Sequence, residues 1–404
     1  PHISADELKA MAASGADMVI VDGRTYSEFQ RYAIPGGISC PNGELALRID
    51  DLAPDPATTI VVNCAGRTRS IIGAQTLIDL GIENPVVALE NGTQGWVLAG
   101  LELERGAQRR HGLALPQDLE RQRQRARAHA ETRGVRFIDA AEASFWLGEE
   151  ARTTYLFDIR SGEEYDADGP PGFVHAPGGQ LIQASDQWMA VRNARVVLAD
   201  AELVRAPTIA AWLRELGHDA HVLASGVAGA AEISATRRLP PSLPELNEIG
   251  AAELKRLLDG GSPSLLDLRS STDYRAGHIA QAQWSVRPLI AAKPPDLERG
   301  VVLIADEPQI AQLVAVDLIE AGAGEILLHR GSGDDWADAG FEIAVTPDVP
   351  PDSAAIDFVF FTHGRHDGNA EASRQYLAWE LGLIGQLDGD ECAVFDIAPA
   401  KSGS

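Results

Sequence analysis

An α/β architecture of mostly parallel sheets, covered by helices on both faces, is predicted by three features of the sequence. Short β-branched strand segments alternate with helix-patterned segments, the loops between them are short, and one strand–helix pattern occurs three times. Crossover connections between parallel strands are right-handed and place helices on both faces of the sheet. Ligands in such folds bind beyond the carboxyl ends of the strands.

The repeated pattern is readable residue by residue. Val21-Asp22-Gly23-Arg24 with Glu28-Phe29 returns as Phe157-Asp158-Ile159-Arg160 with Glu164-Tyr165, and again as Leu266-Asp267-Leu268-Arg269 with Asp273-Tyr274. Each copy follows a short helical segment, beginning Ile3-Ser4-Ala5-Asp6, Ile138-Asp139-Ala140-Ala141 and Ile249-Gly250-Ala251-Ala252. Downstream lie the turns Ile34-Pro35-Gly36-Gly37, Ala176-Pro177-Gly178-Gly179 and Gly277-His278-Ile279-Ala280. The copies define three α/β domains, at residues 1–106, 135–240 and 245–345. Residues 107–134 read as an arginine-rich helical linker, exposed and paired with acidic domain surfaces. Pro240-Pro241-Ser242-Leu243-Pro244 marks the next boundary. Residues 346–404 form a C-terminal α/β extension, with a strand at 357–362, a polar turn at 363–369 and a helix from Ala372 to Ile384. Two His and an Asp in that turn (His363, His366, Asp367) are few for a metal site, and no metal or organic cofactor is expected.

The chemistry concentrates at Cys64. Thr59-Ile60-Val61-Val62 reads as a buried parallel strand and places Cys64 at its carboxyl end. A loop from Cys64 to Arg69 then enters a helix at Ser70, with Ile71, Ile72, Ala74, Leu77 and Ile78 on its apolar face. Such a joint points successive N–H groups inward as an anion nest. A free thiol titrates near 8.5, and the helix dipole with Arg67 and Arg69 is expected to pull Cys64 below about 7.5. Gly66 and two arginines have no use around a buried structural cysteine, so Cys64 is the candidate nucleophile.

In the later copies this position is acidic. Asp200 lies as far after Asp158 as Cys64 lies after Asp22, and the third copy offers Asp306. Those loops lack the glycine, and only the second keeps an arginine, Arg205. A carboxylate cannot take the place of a thiolate nucleophile and repels an anion, so one competent site is expected. The Asp-x-Arg pair persists in all three copies, which favours a structural role for Asp22 and Arg24.

The Cys64 loop resembles the active-site loop of the rhodanese family of sulfurtransferases, and the repeats make the chain resemble a tandem member with one active and two inactive copies. That resemblance implies a persulfide on Cys64, charged by thiosulfate or a related donor and discharged to a thiol or cyanide. It assigns donor binding to Arg67, Arg69 and the loop groups of Ala65, Gly66, Thr68 and Ser70. Two alternatives remain. Cysteine-dependent phosphatases and arsenate reductases need arginine at position 70, where Ser70 stands. A regulatory or scaffold protein would use the repeats only to bind a partner.

Composition limits the partners. A net charge of −25 argues against nucleic acid and anionic membranes. No apolar run reaches the ~18 residues that a membrane span requires. The opening Pro1-His2-Ile3-Ser4 does not read as a signal peptide, and three scattered cysteines fit a reducing cytoplasm. Cys40 and Cys392 read as structural, with a resolving-thiol role as the alternative.

Overall fold

The computed structural model describes residues 1–233, 242–261, 263–331, 333–365 and 368–397. The chain divides into two compact units, Pro1–Arg237 with Gly364–Ser404, and Arg238–His363. The first unit holds two parallel sheets. One runs in the order β1-β5-β4-β2-β3, with β1 His2–Ile3, β2 Met18–Asp22, β3 Ile38–Ser39, β4 Thr59–Asn63 and β5 Val86–Leu89. The other runs β6-β10-β9-β7-β8, with β6 Arg136–Ile138, β7 Thr154–Asp158, β8 Val174–His175, β9 Arg195–Ala199 and β10 Asp219–Leu223. The second unit repeats that order as β11-β16-β15-β12-β14, from β11 Asn247–Ile249, β12 Ser264–Asp267, β14 Gln283–Trp284, β15 Val301–Ile304 and β16 Ile326–His329. A small antiparallel pair, β13 His278–Ile279 with β17 Ile343–Ala344, lies beside it.

Burial on both faces explains the unbroken apolar strands. In β4, Ile60 and Val62 pack with Ala74 and Leu77 of the following helix, while Val61 turns to Ile20, Leu8 and Trp96 on the other face. The central strands of the other sheets alternate likewise, Val196 and Leu198 against Val197, and Val301 and Leu303 against Val302. The Asp-x-Arg pairs lock the strand ends. Arg24 donates to Asp22 from Nε and Nη2, at 2.9 and 2.8 Å, and reaches on to the Tyr32 carbonyl at 2.6 Å. Arg160 and Arg269 repeat this, reaching the carbonyls of Asp168 and Gly277.

Four expectations need correction. The helix after Cys64 begins at Thr68, so the loop is two residues shorter than the spacing predicts. The arginine-rich helix Leu119–Thr132 is not simply exposed. It buries Gln122, Ala126 and Ala130, because Arg125 and Gln122 bond Asp50 on one side while Arg123 bonds the Glu202 carbonyl on the other. No strand forms at 357–362: Phe360–Thr362 is a 3₁₀ turn, with Phe358 packed on Phe360 and the Arg275 guanidinium 3.7 Å above the Phe360 ring. Aromatic residues favour strands only where a partner edge is available. The C-terminal helix runs from Ala370 to Gly382. His366 and Asp367, like Pro240 and Pro241, lie outside the described residues.

Candidate active site

Cys64 stands one residue beyond β4, where the strand's carboxyl end meets the helix Thr68–Asp79. The loop is anchored from behind: Thr93 and Gln94 donate their backbone N–H groups to the carbonyls of Cys64 and Ala65 at 2.8 and 3.0 Å. Gly92 makes that approach possible, with φ at 53° and a would-be Cβ only 2.2 Å from the Cys64 carbonyl oxygen. Asn42 holds the Arg69 carbonyl at 2.8 Å. Among the described residues, the N–H groups of Ala65, Gly66 and Arg67 have no backbone acceptor. The first helical N–H groups lack intrahelical partners by construction. The loop therefore presents an open cradle of donors around the sulfur.

The second sheet carries the same cradle with a carboxylate inside it. In the three sheets the Asp of Asp-x-Arg pairs with Asn63, Ala199 and Ile304, so the residues equivalent to Cys64 are Asp200 and Ala305. Asp306, the third-copy candidate, is thus one residue late: an alanine stands in the nucleophile's place. Asp200 accepts backbone N–H groups from Glu202, Val204, Arg205 and Ala206 at 3.1, 2.9, 2.8 and 3.1 Å. It fills its own nest.

The two arginines of the first loop separate in role. Arg69 is buried and makes a two-pronged bond to Glu28, 2.8 Å at each prong. Arg205 and Glu164 make the same pair in the second sheet, at 2.7 and 2.9 Å. Burial pushes Glu28 and Glu164 up, but the paired arginines outweigh it and hold each carboxyl at about 2. Arg67 is half-buried, belongs to none of the ion pairs found among the described residues, and lines the cavity over Cys64. The family resemblance assigns both arginines to the donor, and the structure commits Arg69 to Glu28.

Cys64 itself is buried, and burial pushes its thiol above the ordinary range, against hydrogen bonds from Ser70 and the positive charge of Arg69. The expectation of a strongly acidified thiol is therefore corrected. Desolvation of the thiolate outweighs the local field. The Ser70 hydroxyl is fully buried and acts to lower the thiol. Cys40 lies in the core, its thiol raised by burial, and Cys392 is exposed.

What covers the sulfur comes from the far end of the chain. A cavity of ≈ 440 Å³ is lined by the Cys64 loop, Gln94 and Gln183, and by Tyr376, Trp379 and Glu380 of the C-terminal helix. Thr68 Oγ1 donates to Glu380 Oε1 at 2.6 Å. Burial raises the Tyr376 hydroxyl pKa, with the charges of Glu380 and Cys64 adding to it. Nothing in the sequence signals this contact, which joins residues 312 apart. Glu28 was findable: Glu28–Arg69 and Glu164–Arg205 share one spacing of 41.

The Rhodanese-like domain family matches residues 4–99. The crystal structure of a thiosulfate sulfurtransferase from Pseudomonas aeruginosa is 37% identical, covering 98% of this chain and 76% of that one, with a TM-score of 0.76. This chain belongs to the rhodanese family. An HTH-type transcriptional regulator of Mycobacterium tuberculosis is 34% identical over 96 residues, 24% of this rhodanese and 42% of the regulator, less than half of that relative's length. A Rhodopseudomonas palustris protein of unknown function, described as a possible tyrosine phosphatase, is 35% identical over 26% of this chain and 83% of its own, with a TM-score of 0.23. No helix among the described residues is long and apolar enough to cross a membrane.

Proposed function

We propose that this protein is a sulfurtransferase that carries sulfane sulfur as a persulfide on Cys64, with thiosulfate as donor and a thiol or cyanide as acceptor. The Cys64 thiolate attacks the outer sulfur of thiosulfate; a new sulfur–sulfur bond forms, the donor's own breaks, and its electron pair leaves on sulfite. The observation that carries this reading is the shared cradle. In the second sheet the N–H groups of Glu202, Val204, Arg205 and Ala206 close on the Asp200 carboxylate, while at Cys64 the equivalent Ser70 N–H turns to the thiol and those of Gly66, Thr68 and Arg69 would be left for an anion. Those donors and the Ser70 hydroxyl would stabilise the persulfide's charge. Arg67 would hold the donor's sulfonate oxygens, and Arg69 would hold Glu28 and lend only its field. One competent site serves the chain, with Ala305 and Asp200 inert. A domain division at 1–106, 135–240 and 245–345, a helical linker at 107–134, an extension at 346–404 and a cytoplasmic setting complete the reading.

Steady-state kinetics with thiosulfate and with 3-mercaptopyruvate test it. A compact dianion suits a nest of N–H groups beside Arg67 better than a single carboxylate does, so thiosulfate should give the larger kcat/KM. A larger value for 3-mercaptopyruvate would contradict the donor assignment.

A further inference from the structure

The C-terminal helix brings one charge into the cavity that sulfur delivery from an anion does not need. Glu380 Oε1 is fixed by Thr68 at 2.6 Å, and Oε2 is buried without a hydrogen-bond partner. A buried carboxylate oxygen without a donor is costly unless something supplies one. Opposite it lies Gln94, 4% exposed, with both amide atoms unpartnered. The two meet over Gly66: the point where a Cβ would stand there is 3.3 Å from Glu380 Oε2, 3.4 Å from Gln94 Nε2 and 3.3 Å from a Tyr376 ring carbon. The Glu380 carboxylate oxygen thus lies unsatisfied over Gly66, two residues from the nucleophile and beside an aromatic ring.

An ammonium satisfies such a carboxylate oxygen by donating to it, while the Tyr376 ring already carries the Arg365 guanidinium, 4.5 Å from its centroid. Resting on the sulfurtransferase reading above, we propose that Glu380 determines acceptor specificity, selecting a thiol that carries an ammonium group close to its sulfur. The acceptor's thiolate sulfur then bonds to the terminal sulfur of the Cys64 persulfide. The bond between the two sulfurs on Cys64 breaks, its electron pair stays on Cys64 Sγ, and the acceptor leaves as its own persulfide. The proton given up by the acceptor thiol passes to solvent.

Because the same carboxylate faces an anionic donor in the other half-reaction, removing its charge has opposite effects on the two steps. In Glu380→Gln the amide oxygen still accepts from Thr68, so only the charge changes. Loading of Cys64 from thiosulfate and discharge of the loaded enzyme are followed separately, with cysteamine, 2-mercaptoethanol and 3-mercaptopropionate as acceptors. For each acceptor the rate of the variant is divided by that of the parent, which cancels intrinsic thiol reactivity. Loading should become severalfold faster, discharge to cysteamine about tenfold slower, discharge to 2-mercaptoethanol nearly unchanged, and discharge to 3-mercaptopropionate faster. An equal change for all three acceptors, or a slower loading step, would overturn the role of Glu380 while leaving the persulfide reading intact. A parent enzyme that never acquires sulfur would defeat both, and mass measurement of the intact chain distinguishes that result at once.

Discussion

The Cys64 and Asp200 loops stand at the same place in two sheets of one strand order, each followed by a helix and each backed by a glycine in the left-handed region, Gly92 or Gly226. Both carry the same buried arginine–glutamate pair across the same spacing. They differ at the one residue in the cradle and at what surrounds it. At Asp200 the nest is closed by its own carboxylate, and Glu44, Glu164 and Glu202 crowd Arg205. At Cys64 the nest is open, Gly66 keeps the floor clear, and Arg67 is available. The comparison separates scaffold from chemistry. The side-chain pairs that the two loops share hold the fold, and the side chains confined to the first adapt the shared cradle to sulfur transfer.

The largest effect should come from exchanging the central residues. Cys64→Ser should reduce sulfur transfer at least about a thousandfold, because a hydroxyl forms no persulfide. Asp200→Ala should leave turnover near the parent's, yet lower the melting temperature. Each buried N–H that loses its acceptor costs about 1–3 kcal/mol. Turnover assays and thermal melts of the two variants check both halves. Asp200→Cys should remain unloaded by thiosulfate, since Glu202 stands beside it and Arg205 is fully engaged.

Next in size is the division between the arginines. Arg67→Ala should lose one charge-assisted contact of about 1.5–3 kcal/mol, a tenfold to hundredfold drop in kcat/KM. The loss should lie mainly in KM and shrink with added salt. Arg69→Ala should instead orphan Glu28 and appear first as a lower melting temperature, as should Arg205→Ala in the second sheet. Kinetics across ionic strength, set beside thermal melts, decide whether the two arginines differ in this way.

The repeat pattern was legible because fold-level constraints act on every copy. Asp-x-Arg must lock the strand end, the strands must be apolar on both faces, and the capping boxes at Thr25 and Ser161 must start their helices. The nucleophile was legible for the opposite reason, since cysteine, glycine and two arginines break the acidic pattern of the later loops. Three things were hidden. Arg69 looked like a ligand group because its partner, Glu28, lies on another element. The cavity at Cys64 is walled in part by a helix from the other end of the chain, and no local spacing encodes that. The third-copy residue was misplaced because strand β15 is reached by a shorter connection, so that only the strand register places Ala305 opposite Cys64.

A smaller, pH-dependent effect sharpens the contrast from the Asp200 side. Burial pushes Glu202 up, Arg205 pulls it down and Asp200 raises it again, leaving it at about 7. A carboxyl raised in the folded state, against an unfolded value near 4.3, contributes stability that is fully present below the unfolded value. That contribution is lost as pH rises through about 7. Melting temperature should therefore fall between pH 5 and 8 in the parent by more than in Glu202→Gln. Equal slopes would contradict this assignment.

The claim that one open cradle does the chemistry is tested most directly by mass spectrometry of the protein after thiosulfate treatment, with peptide mapping of the added mass. The account predicts one extra sulfur atom, on the peptide that contains Cys64, absent in Cys64→Ser and lost again when an acceptor thiol is added. Sulfur on Cys40 or Cys392, or no added sulfur while turnover proceeds, would contradict it.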